Sequence, residues 1–246
     1  MLLASWVPDS RATAHLVDDA SINTDTNMYS FQSTRLGFPT SDRQIVVAVI
    51  GTHGGSNARK VNTLTVGGVS ASFVVKSASA NEDNHTVELW AAEVLNGVDG
   101  TVEVTWDAGM SNCAICVYRL IGAETSAHDT GSDNGSPATT TLDVPTGGTC
   151  IAVSFAGSSA TTTWAGAKED VETTLETTTS RYTGASQNLK SGEAGRTITA
   201  TYSTTSANRA MCCASWGRSI RGRWRTPTDP RPSARKRRAG PAPPRT

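Results

Sequence analysis

Four histidines and five cysteines are the side chains here with the widest chemical repertoire, and their spacing gives them little to do together. His15, His53, His85 and His128 are far apart, and none stands at metal-ligand spacing from another or from a nearby cysteine. Cys113 and Cys116 have the C-x-x-C form, but they lie inside N-C-A-I-C-V-Y-R-L-I. That run reads as a strand, in which residues three apart face opposite sides of a sheet. With Cys150, Cys212 and Cys213 the cysteine count is odd and irregularly spaced, which describes no disulfide framework. The five read as reduced, buried, small apolar residues. There is no G-x-S-x-G, Walker loop, H-E-x-x-H or EF-hand loop. A glycosidase pair could come from any two strands. The acids, however, sit mainly in loops and at outward strand positions, where solvation alone would place them. No catalytic, metal or cofactor-binding residue is therefore expected, and the expectation is a protein that is not an enzyme.

Binding chemistry has more candidates. Asn81–Asn84 and Asp129–Asn134 are rich enough in oxygen to be weighed as calcium loops, although loops of this composition are ordinarily just solvated. Trp90, Trp106 and Trp164 could form a sugar-stacking platform. Trp90 and Trp106 fit a core better, which leaves Trp164, between Thr163 and Ala165 near a loop, as the candidate for glycan contact. Gly54-Gly55-Ser56-Asn57 runs on into a strand instead of a helix, so it cannot cradle a phosphate.

The elements that must position these residues are strands. Thr and Ser together number 61 of 246 residues, and aromatic residues make up 6%. Such a composition suits strand faces and turns better than helices. Gln44–Ile50 is apolar at nearly every position and largely β-branched, which predicts a central strand covered on both faces. Thr63–Val75 contains Gly67-Gly68 between alternating apolar residues, a hairpin signal because the primed turns need positive φ. Pro145-Thr-Gly147-Gly148 marks a second strand-turn-strand unit. Polar stretches at Asp18–Asn27, Lys76–His85 and Ala123–Pro137 are expected as loops or linkers. Lys168–Glu176, with Val171 and Leu175 four apart, could carry one short helix, though its threonines argue against it. About twelve strands at 8 to 12 residue spacing predict a single antiparallel β-sandwich of jelly-roll type.

Charge divides the chain. From Arg218 onward there are nine Arg and one Lys against Asp229, and six of the ten prolines, so the formally neutral chain joins an acidic body to a basic tail. Three segments are expected: an N-terminal arm over 1–10, a β-sandwich domain over 11–217 and an Arg/Pro-rich disordered tail over 218–246. Arg235-Lys-Arg-Arg238 would attract phosphate through counterion release. With only Trp224 beside it, base recognition is not expected. The opening hexapeptide Met1-Leu-Leu-Ala-Ser-Trp6 shares M-x-x-A-S-W with Met211–Trp216, so it echoes the closing strand of a preceding related domain, if the match is not chance. That hexapeptide lacks the make-up of a signal peptide, and no apolar run approaches membrane-spanning length.

Several segments carry a family resemblance. They are Arg43–Val49, Leu64–Ala71 (L-T-V-G-G-V-S-A), Glu88–Val94 (E-L-W-A-A-E-V), Gly100–Trp106, Cys113–Leu120 and Leu142–Gly148 (L-D-V-P-T-G-G). Their succession resembles uncharacterised structural proteins of tailed bacteriophages, prophages and gene-transfer-agent-like particles, over about residues 11–217. The resemblance implies a β-sandwich on a virion, as a head decoration, spike or tail-fibre subunit made in a bacterial cytoplasm. It also implies assembly with other virion proteins, homo-oligomerisation and contact with host-surface glycan, and it transfers no catalytic or ligand-binding residue. The alternative expectation is a carbohydrate-binding module or lectin-like adhesin unconnected with a particle.

Overall fold

The computed structural model describes residues 11–219 except 56, 58, 80–84, 158, 176–179 and 205–207. The N-terminal arm, nearly all of the basic tail and the Asn81–Asn84 loop lie outside the described residues.

Alternation of β-branched and small apolar residues with Thr and Ser gives seventeen strands and, among the described residues, no helix. The first nine are β1 (Thr13–Ile22), β2 (Thr26–Arg35), β3 (Gln44–Thr52), β4 (Val61–Val66), β5 (Val69–Ser70), β6 (Ser72–Ala78), β7 (His85–Ala92), β8 (Asp99–Met110) and β9 (Asn112–Ile121). The rest are β10 (Asp129–Asp133), β11 (Ala138–Val144), β12 (Thr149–Ala156), β13 (Thr162–Ala165), β14 (Lys168–Thr174), β15 (Arg181–Asn188), β16 (Glu193–Tyr202) and β17 (Arg209–Trp216).

They form four sheets, in the orders β1-β9-β3-β7-β6, β2-β8-β4-β5, β10-β17-β12-β15-β14 and β11-β16-β13. The orders repeat. Substituting β10, β17, β12, β15 and β14 for β1, β9, β3, β7 and β6 converts one five-stranded sheet into the other. Substituting β11, β16 and β13 for β2, β8 and β4 converts the smaller sheets. Residues 13–121 and 129–216 are thus two units of one topology, where the spacing of the strands alone predicts a single sandwich.

The units stack as four layers, with the five-stranded sheets inside. Strand β3 shows why. Its residues are all buried; Ile45, Val47 and Val49 pack with Val102, Val104 and Trp106 of β8, while Val46, Ala48 and Ile50 face the second unit. There they meet Ile151, Val153 and Phe155 of β12 with Cys212, Ala214 and Trp216 of β17. A third core lies between β12 and β16, around Ala152, Ile198 and Met211. A strand covered on both faces gains nothing from alternation, so the apolar run of β3 follows from its place in the stack.

Three stretches depart from expectation for one reason. Asp18–Asn27 mostly belongs to β1 and β2, Ala123–Pro137 contains β10, and Lys168–Glu176 holds β14 instead of a helix. Strands β1, β10 and β14 are all sheet edges. An edge strand is half-solvated and is protected from pairing by charge, so it reads as polar. In β14 the threonines favour a strand over a helix.

Gly67 and Gly68 make the two-residue turn from β4 to β5, with φ of 57° and 79°, and Val66 pairs with Val69 across it. The other turn divides its demands. Gly147 has φ 70°, whereas a Cβ on Gly148 would meet the carbonyl oxygens of Trp216 at 2.7 Å and Pro145 at 2.8 Å.

Candidate functional site

Arg43 organises one end of the first unit. It lies just before β3, fully buried, and among the described contacts its guanidinium donates only to backbone carbonyls: Leu36 and Gly37 on one loop, and Val94, Asn96 and Gly97 on the other. Arginine suits this because its planar fork presents several donors in fixed directions. Burial, with Arg119 near by, pushes its pKa down. The two loops are stitched together again where Leu36 N–H donates to Val98 O at 2.7 Å. The β4–β5 turn abuts them, since Gly67 N–H donates to Thr101 O and its Cα region lies against Val94 and Leu36.

These three connections display apolar side chains. Phe38 is 77% exposed, and Val69, Leu95 and Val98 are exposed beside it in the same loops. The second unit differs here. Ile45 pairs with Ala92 and Cys150 with Gln187, which aligns Leu95 with Lys190 and Val98 with Glu193. Leu189, aligned with buried Val94, is buried too. The strand order is common to both units, but the connection into the central strand spans 36–43 in the first and only 145–148 in the second, and among the described residues the exposed apolar end belongs to the first.

Trp164 lies on β13, the edge strand of its sheet. It is half-buried against the third core, and its Nε1 donates to Thr183 Oγ1 at 3.0 Å. Trp90 and Trp106 are in the core. The Trp90 indole donates to Glu88 Oε2 at 2.7 Å and is met edge-on by Phe73. Glu88 Oε1 accepts from Val61 N–H, so this fully buried carboxyl is held between β4 and β7 and burial raises its pKa.

His85 stacks on Phe155 of the second unit with ring centroids 4.5 Å apart. Burial, with His53 near by, lowers its pKa to about 4, so it is neutral at pH 7. All five cysteines are buried thiols; burial pushes Cys113 up to about 12 and Cys150 to about 11. Cys113 and Cys116 belong to different cores, on opposite faces of β9. A neutral buried thiol is inert packing.

The acids of the second oxygen-rich stretch serve the backbone. Asp133 accepts from the N–H groups of Asn134, Gly135 and Thr139, and Asp129 from those of Thr130 and Asp143. Such turns use up the carboxylate oxygens that a calcium ion would need. Among the described residues no cluster of three or more His, Cys, Asp or Glu could hold a metal ion, and no helix is long and apolar enough to cross a membrane.

Sequence reasoning missed Arg43, because a single basic residue before an apolar strand has no distinguishing pattern. The exposed loop residues left a faint signal, in that Phe38, Leu95 and Val98 flank turn glycines instead of lying in strands.

The fold and this geometry define an all-β protein of two stacked antiparallel units. No protein-family model matches the chain, and neither a curated protein nor a solved structure shows significant similarity to it.

Proposed function

We propose that this chain is a non-enzymatic virion structural protein of a phage or prophage particle, a head decoration, spike or fibre subunit that acts by shape. The observation that carries the reading is strand order. In the first unit the succession β1-β9-β3-β7 facing β2-β8-β4-β5 is compatible with the order that consecutive strands take in a jelly roll of two Greek keys, and the second unit follows it without a counterpart of β5. That architecture serves viral capsid and lectin domains. The resemblance of Arg43–Val49, Leu64–Ala71 and Leu142–Gly148 to phage structural proteins, carried by strand and turn motifs, points the same way.

Within this reading the loop end held by Arg43 is the self-association surface, and its occupant is a second copy of the chain. Among the described residues only the unit carrying Leu95 and Val98 has this apolar end, as expected if one contact surface per chain is required. Other virion proteins are further partners, and the basic tail has no assigned role in binding nucleic acid. Particles purified on a density gradient from an induced culture test the proposal. Peptides of this chain should co-sediment with the capsid protein in fixed ratio, and recovery only from the particle-free supernatant overturns it.

Trp164 is the one observation favouring the lectin-like alternative, since it is partly exposed and lies on an edge strand. A glycan array answers that reading. Binding by the parent that Trp164→Ala abolishes supports it, and absence of binding by folded protein removes it.

A further inference from the structure

An asparagine followed by glycine exposes its side-chain amide to attack by its own backbone, because a residue without Cβ lets the next peptide nitrogen approach the asparagine Cγ. The chain has two such pairs, Asn96-Gly97 and Asn134-Gly135, and the fold treats them oppositely.

Asn134 is restrained at both reacting groups. Its Nδ2 donates to Ala78 O at 3.1 Å, which ties the amide to the other unit, and Gly135 N–H donates to Asp133 Oδ1 at 3.2 Å. A carboxylate that accepts this hydrogen opposes its loss and so keeps the nitrogen from becoming a nucleophile.

Asn96 meets neither restraint. Asn96 and Gly97 are both exposed, and among the described residues neither the Asn96 side chain nor the Gly97 N–H has a hydrogen-bond partner. What is held is the backbone: Arg43 Nη2 donates to Asn96 O at 2.6 Å and Nη1 to Gly97 O at 2.8 Å. Asn96 O is the atom onto which negative charge spreads when the Gly97 nitrogen loses its proton. A guanidinium donating to it favours the nucleophilic form through a charge-assisted hydrogen bond.

We propose that Asn96 is a modification site of this protein, deamidated through a succinimide closed by its own backbone. The Gly97 nitrogen gives its proton to hydroxide and bonds to Asn96 Cγ; the Cγ–Nδ2 bond breaks and ammonia leaves. Water then opens the ring at Cγ to give aspartate, or at the backbone carbonyl carbon to give isoaspartate, so an amide and a water become a carboxylate and an ammonium ion. Either product sets a negative charge between the exposed Leu95 and Val98, and isoaspartate also adds a methylene to the backbone of the loop that Arg43 holds. The conversion does not depend on the virion reading; only its effect, a weaker contact between copies at this end, rests on it.

The full chain is incubated folded in mildly alkaline buffer and, in parallel, unfolded in guanidinium chloride, and conversion at Asn96 and Asn134 is followed by peptide mass spectrometry with the isoaspartyl form resolved. Dividing each folded rate by the unfolded rate of the same residue removes the effect of neighbouring sequence. That ratio should be about tenfold or more higher for Asn96 than for Asn134. Any smaller excess, or no conversion of Asn96 in the folded chain, overturns the proposal. Asn96→Gln should leave the thermal midpoint unchanged and abolish conversion at this position. Mass spectrometry reads the modification in a monomeric chain as well as in an associating one, so failure here is told apart from failure of the self-association reading.

Discussion

The hydroxyl of Tyr182 lies 3.1 Å from Oδ2 of Asp19, joining β15 of the second unit to the edge strand of the first. A reciprocal contact lies close by. The ring of Tyr118, from β9, reaches so near β15 that a Cβ added to Gly184 would stand 2.3 Å from its hydroxyl oxygen. Each unit inserts a tyrosine into the other, so the pair is locked in place by shape as much as by apolar area. Gly184→Val should destabilise the protein by about 1–3 kcal/mol through overpacking. Tyr182→Phe should cost only about 1 kcal/mol, one hydrogen bond. Urea unfolding of both variants checks the ranking. A neutral Gly184→Val would mean that the layers slide freely and that this contact does not set their separation.

Arg43 makes a sharper case. Replacing it with Met keeps the unbranched stem of the side chain and deprives buried loop carbonyls of their donor, which at about 1–3 kcal/mol for each buried unsatisfied group amounts to roughly 3 kcal/mol or more. Arg43→Lys should recover little, because an ammonium cannot reproduce the fork. Both losses should appear in denaturant midpoints, together with faster amide exchange at Leu36 and Gly67, whose N–H groups donate to Val98 O and Thr101 O at this end. Full stability in Arg43→Met would show that water satisfies those carbonyls unaided.

Two buried groups give stability opposite pH slopes. His85 titrates near 4 in the folded protein against about 6.5 unfolded, so the stability it contributes is complete above pH 6.5 and lost as pH falls towards 4, by up to about 3 kcal/mol. Glu88 is shifted the other way. Its folded pKa is raised, so stability is present below its ordinary value and lost as pH rises through the folded pKa. His85→Gln should flatten the acid side of a plot of unfolding free energy against pH, and Glu88→Gln should flatten the neutral side. Unchanged slopes in both variants would show that neither group holds a different proton affinity in the folded state.

How much of this was legible in sequence depended on whether a residue's surroundings were local. The β3 strand was readable because six consecutive apolar, largely β-branched residues allow little else. Gly67 and Gly68 were readable because a primed turn requires them. Strands β1, β10 and β14 were not, since the polarity of an edge strand is the polarity of a loop, and only a neighbour's hydrogen bonds distinguish the two. The division into two units was hidden for a related reason. It resides in pairing order, while the sequences that fill it diverge as far as Ile45 against Cys150 and Ala92 against Gln187. Arg43 was the least legible, because its partners are carbonyls, which every residue has.

The difference between the units offers a direct test of the exposed loops. The second unit has Lys190 and Glu193 where the first has Leu95 and Val98. Leu95→Lys combined with Val98→Glu therefore puts charged residues in place of both exposed apolar side chains, and Arg43, which donates to neither side chain, should still hold the backbone. The thermal midpoint should change by no more than a few degrees, since both side chains are exposed. Self-association should weaken by at least tenfold, corresponding to about 1.4 kcal/mol, when followed by sedimentation velocity over a concentration series. A parent chain that is monomeric throughout the series, or a double variant that associates as the parent does, would exclude this end as the surface through which copies meet.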